Sequence, residues 1–140
     1  MAVILVEGIT DQIALEAAAR RLGRDLVAEG VEIVPLGGAQ AVARAAADHA
    51  GVRLAGMCDA GEESYFRRAL GEAVFVCRED LEDELIRALG PERVEAVLAE
   101  QGDLETFRNF QNQPAWRGRP VDAQLRRWFH AADRRAKRYP

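Results

Sequence analysis

Val3-Ile4-Leu5-Val6-Glu7-Gly8-Ile9-Thr10-Asp11 decides the fold of this chain. Four aliphatic residues in a row are what a strand covered on both faces needs, and the Glu-Gly that follows ends the run abruptly. The carboxyl ends of such strands are where open α/β sheets hold their ligands. A candidate site therefore begins at Glu7, with Asp11 close behind it.

Working outward, the same grammar repeats. Thr10 reads as an N-cap, and Ile13, Ala14, Ala17, Ala18, Arg21 and Leu22 keep helical spacing up to Gly23. Val31 to Leu36 reads as a second strand, and Gly37-Gly38 turns it into an alanine-rich helix ending near Ala50. Arg53 to Cys58 reads as a third strand ending in Asp59, with a helix from about Glu62 to Leu70, and Ala73 to Cys77 as a short fourth strand. Strict alternation of strand and helix predicts parallel pairing, right-handed crossovers and helices on both faces. From residue 79 the punctuation becomes that of consecutive helices. Asp80 caps one that runs to Leu89, and Gly90-Pro91 stops it and starts a helix to about Gln101. Another spans Leu104 to Gln111, and a last one opens at Pro120 with Val121, Leu125, Trp128 and Phe129 on one face.

At 140 residues the chain is long enough for a real core. It has no apolar run that would cross a bilayer and no signal-peptide pattern, so it reads as cytoplasmic with no membrane partner. Cys58 and Cys77 lack Cys-x-x-Cys spacing and read as buried thiols of a reduced compartment. His49 and His130 stand alone and read as structural or solvated. The net charge of −4 hides an asymmetry, because residues 117–138 hold eight bases (Arg117, Arg119, Arg126, Arg127, Arg134, Arg135, Lys137 and Arg138) against two acids. An acidic body with a basic arm suits a cation-loaded carboxylate site beside a phosphate-binding surface. An arginine-rich solvated helix face is the plainer reading of the same arm.

Leu5-Val6-Glu7-Gly8-Ile9-Thr10-Asp11 before a helix, Val34-Pro35-Leu36-Gly37-Gly38-Ala39 after the second strand, and a strand ending in Asp59 together resemble a Toprim domain. The form most similar is that of the OLD-family (overcoming lysogenization defect) nucleases. The resemblance implies a Rossmann-like parallel four-stranded sheet in the order 2-1-3-4, with helices on both faces and a C-terminal helical extension. It covers roughly residues 1–89, the Toprim α/β core, and more weakly residues 90–140, the helical extension.

What the resemblance implies chemically is phosphodiester hydrolysis on DNA with Mg²⁺ or Mn²⁺. Such hard cations take oxygen ligands, and a pair about 3.5–4 Å apart stabilises both the attacking and the leaving oxygen. By resemblance Glu7, Asp11 and Asp59 are metal ligands and catalytic residues, and Glu82 matches the downstream glutamate of the OLD-type site. Lys137 matches a basic residue that neutralises phosphate charge, and Arg126, Arg127, Arg134 and Arg135 are the nucleic-acid-binding candidates of the arm. Toprim domains usually carry Asp-x-Asp at the third strand, whereas this chain has Asp59-Ala60-Gly61-Glu62-Glu63. Glu62 or Glu63 can replace the missing ligand from the start of the next helix; otherwise the second metal is lost. OLD proteins usually place an ATPase ahead of the Toprim domain, and no Gly-x-x-x-x-Gly-Lys-Ser/Thr string occurs here, so an ATPase domain or subunit is an implied partner.

Three functions therefore stay open: a metal-dependent nuclease, a weak or inactive Toprim module that binds nucleic acid or protein, and a receiver-like phosphoacceptor domain. The last requires a lysine after a fifth strand, and no fifth strand is legible.

Overall fold

Each aliphatic run forms a strand in the computed structural model, which describes residues 1–131 and 139. The strands are β1 (Ala2–Val6), β2 (Val31–Pro35), β3 (Arg53–Asp59) and β4 (Val74–Cys77). They form one parallel sheet in the order β2-β1-β3-β4, as the resemblance implies. The helices α1 (Ile9–Arg21), α2 (Val42–Asp48) and α3 (Glu63–Leu70) join them, with short 3₁₀ turns at Ala39–Ala41 and Ala60–Glu62. Among the described residues the sheet has four strands and lacks the fifth that the receiver-like reading requires.

Alternation along the strands sorts the core. Val3, Leu5 and Cys58 point to the face that α2 and α3 cover through Val42 and Phe66, while α1 packs against β1 and β2 through Ala14 and Ala19. Gly56 allows α3 to lie close on β3. A Cβ there would sit 2.7 Å from Leu70 Cδ1 and 2.7 Å from Phe66 Cδ1, well inside van der Waals contact. Gly56→Ala should therefore cost about 1–3 kcal/mol by overpacking. Chemical denaturation of the purified chain checks this, and an unchanged midpoint would show that α3 moves aside freely.

The remaining helices are α4 (Leu81–Leu89), α5 (Pro91–Glu100), α6 (Leu104–Gln111) and α7 (Val121–His130). The chain divides into two units, Met1–Leu81 and Glu82–Tyr139. The helical unit has its own core, in which Ile86, Val94, Leu98, Phe107, Leu125 and Trp128 are all buried. Its aromatics serve packing. Phe107 meets Trp128 edge-on with centroids 5.8 Å apart, and Phe110 stacks on Trp116 at 5.4 Å. No described helix is long and apolar enough to cross a membrane.

Candidate metal centre

Glu7 leaves β1 directly beside β3, because Val6 pairs with Met57 and both strands run the same way. Its Oε1 accepts a hydrogen bond from the Asp59 backbone N–H at 3.4 Å, which ties the ends of the two central strands together. Gly38 donates its N–H to the Glu7 carbonyl at 3.1 Å. That turn after β2 needs φ of +74° at Gly37 and +149° at Gly38, values that glycine adopts without strain. The Gly37-Gly38 pair is thus a tight strand-to-helix turn that braces the site.

The start of α1 differs from the expected cap. Gly8, not Thr10, is the N-cap residue, and Asp11 in the third helical position accepts the Gly8 N–H through Oδ2 at 3.0 Å. The helix begins earlier than expected because the aspartate reaches back and satisfies a backbone donor that a Thr10 cap would have left outside the helix. Asp11 consequently has a capping role as well as its place beside Glu7.

Electrostatics mark Glu7 as the centre of the edge. Burial pushes its carboxyl above the usual glutamate range, the Asp59 N–H partly opposes that, and the charges of Asp11 and Glu62 raise it further. Glu7, Asp11, Asp59 and Glu62 therefore share one sheet edge and one negative field. With Oδ2 of Asp11 turned to Gly8, the oxygens of Glu7, Asp11 and Asp59 do not close into a ligand shell. The donor set nevertheless fits a hard divalent cation, which takes carboxylate oxygens and relieves the repulsion that raises Glu7.

The structure distinguishes the two glutamates after Gly61. Glu63 is bound to Arg67 at 2.6 Å, whereas Glu62 stands at the N-cap position of α3 without a side-chain capping bond, and its charge acts on Glu7. Cys58, next to Asp59, has its thiol pushed up to about 12, by burial first and then by the charges of Glu7 and Asp59. With no cation bound it stays protonated at neutral pH and offers no nucleophile. An open groove of about 480 Å³ between α1 and β2 is lined by Gln12, Glu16, Arg20 and Glu32 among others, and none of the site carboxylates lines it.

In the helical unit, Glu82 lies in the first turn of α4 with its side chain 16% exposed. Its acidic neighbours are paired elsewhere: Asp83 binds Arg87 at 2.9 Å and Glu84 binds Arg87 at 2.6 Å. Glu82 instead faces His130 at the end of α7, with Nε2 to Oε2 at 3.7 Å. The sequence reads His130 as structural or solvated and does not link it to Glu82. The available signal was that His130 follows Phe129 on the buried face of α7 while Glu82 stands one turn before Ile86, and both apolar residues belong to one core. His49, by contrast, turns Nδ1 to the Ala45 carbonyl at 2.8 Å and finishes a helix.

Of the basic arm, Arg126 is partly exposed and Arg127 exposed on α7, and Arg134, Arg135 and Lys137 lie outside the described residues. Arg117 and Arg119 serve the loop before α7. Arg117 donates to the Asn112 carbonyl, and Arg119 donates to the Ala115 carbonyl and lies 5.2 Å over the Trp116 ring.

Residues 1–60 match the family model "Overcoming lysogenization defect protein-like, TOPRIM domain". Among solved structures, the chain is similar to the C-terminal region of the Burkholderia pseudomallei OLD protein, with 14% identity and a TM-score of 0.68, over 97% of this chain and 85% of that one. It is also similar to the C-terminal region of the Xanthomonas campestris pv. campestris OLD protein phased with mercury, with 19% identity and a TM-score of 0.62, over 97% and 82%. At these identities the structural likeness is one of fold. No curated protein matches the sequence.

Proposed function

Since the α/β unit of this chain is a Toprim domain of the OLD type, a class of metal-binding domain concerned with nucleic acids, we propose that it is a metal-dependent phosphodiesterase acting on DNA. The observation that carries the reading is the half-buried Glu7 carboxylate, held at the carboxyl edge by the Asp59 N–H amid the charges of Asp11 and Glu62. Glu7, Asp11, Asp59 and Glu62 would hold Mg²⁺ or Mn²⁺ at that edge, and Glu82, in the helical unit, is a separate candidate ligand. Such a cation supplies Lewis acidity toward a phosphoryl oxygen and lowers the pKa of bound water. Glu7 and Asp59 set the site's position, because both emerge from central strands whose spacing is fixed by the sheet. Asp11 is oriented by the Gly8 N–H, and Glu62 takes the place of the second aspartate of the Asp-x-Asp pattern. Arg126, Arg127, Arg134 and Arg135 would contact phosphates rather than bases, giving binding that tolerates sequence and falls with salt. Lys137 would offset phosphate charge. An ATPase domain or subunit is the partner that fits an OLD-type domain.

Incubation of the chain with supercoiled plasmid and Mg²⁺ or Mn²⁺ tests the proposal. Cation-dependent nicking should appear, and Asp59→Asn should lower it by about 10²-fold or more, the scale of losing one charge-stabilising group. Cleavage that Asp59→Asn leaves unchanged would contradict it.

Gly61 favours a second reading, a Toprim module that binds without turnover. Nothing lies within 4 Å of a Cβ placed at Gly61, so the glycine there is not forced by contact at the Cβ position. If the parent binds DNA without cutting and Gly61→Asp begins to cut, the module reading holds.

A further inference from the structure

The pair that the proposed oxygen-ligand set leaves unexplained is His130 against Glu82. Both residues are placed by the core of the helical unit: Ile86 stands one turn after Glu82, Phe129 immediately precedes His130, and both apolar side chains are buried in the same cluster. Arg87 takes up the neighbouring Asp83 and Glu84, and Glu82 turns Oε2 toward the imidazole. Asp80 stands two residues ahead of Glu82 at the entry to the same helix and is itself buried.

We propose that His130 and Glu82 form a nitrogen-and-oxygen cation site that selects a borderline transition metal, of the Zn²⁺ or Co²⁺ class, over Mg²⁺. The separation of 3.7 Å between Nε2 and Oε2 is longer than a hydrogen bond, and it leaves room for both atoms to bind one ion at about 2.0–2.2 Å. An imidazole nitrogen favours transition cations, whereas Mg²⁺ takes oxygen and water. The inference rests on the proposed reading only in giving Glu82 a ligand role, and it adds a residue and a selectivity that the carboxylates alone do not supply.

The test is titration of the full chain with Zn²⁺ and Co²⁺, followed by imidazole ¹⁵N resonances and by the visible absorption of Co²⁺. The His130 resonances should shift with Zn²⁺ and stay in place with Mg²⁺. The His130-linked Co²⁺ absorption should be lost in His130→Ala, His130→Gln and Glu82→Gln, each with parental circular dichroism, and kept in Glu7→Gln. Resonances of His130 that no transition cation moves, or Co²⁺ absorption unchanged in both His130 variants, would show the pair to be an ion pair only. Failure of the Glu7-centred reading would look different: Mg²⁺ would then give the chain and Glu7→Gln the same thermal shift, whatever His130 does.

Discussion

Glu7→Gln should melt a few degrees above the parent in cation-free buffer and lose the stabilisation that Mg²⁺ or Mn²⁺ gives the parent. The first effect follows from removing a charge that burial and the neighbouring Asp11 and Glu62 oppose. For a unit of this size about 1 kcal/mol moves the melting temperature by about 4–8 °C. The second is larger, because a cation at 100 times its Kd stabilises the folded state by about 2.7 kcal/mol. The pH dependence has a definite sign. Glu7 holds its proton more tightly folded than unfolded, so its contribution is fully present below the unfolded pKa near 4.5 and is lost as pH rises through the raised folded value. Glutamine has no such loss, so the gap between variant and parent should open as pH climbs from about 4.5 through the raised folded value and stay level above it. Melting curves across pH, with and without cation, check both. A gap that does not vary with pH, together with equal cation shifts in the two chains, would remove Glu7 from the centre of the site.

Phe66→Ala should cost about 3–5 kcal/mol, the scale of an aromatic truncation in a closed core. Phe66 is fully buried, lies over Gly56, and holds α3 on β3, the strand that delivers Asp59 to the edge. Cation affinity should fall with it, since Glu62 stands at the N-cap position of that same helix. The space that Phe66→Ala opens adjoins the Cβ position that Gly56→Ala fills, so the double variant should be less unstable than the sum of the two. Denaturant midpoints of the single and double variants measure the coupling, and strict additivity would mean that α3 and β3 do not share that contact.

The sheet was legible because its information is local. Val3 to Val6 is an aliphatic run and Leu54 to Cys58 an uncharged, largely apolar one, each ended by an acid, and strand-helix alternation leaves few parallel orders to choose from. Helix starts were less legible. Thr10 has the right chemistry for a cap, yet the backbone of Gly8 is claimed by Asp11, and that competition appears only when both atoms have positions. What separates Glu62 from Glu63 is Arg67, one helical turn after Glu63, which pairs with Glu63. His130 could not be tied to Glu82 by spacing, because their meeting is set by how Ile86 and Phe129 pack in the helical core.

The central claim, a divalent-cation centre at the carboxyl edge of β1 and β3, is tested most directly by soaking a crystal of the chain in Mn²⁺ and mapping the anomalous signal. The account predicts a peak within about 2.0–2.3 Å of carboxylate oxygens from Glu7 and Asp59. A saturated crystal with no peak at Glu7 would contradict it.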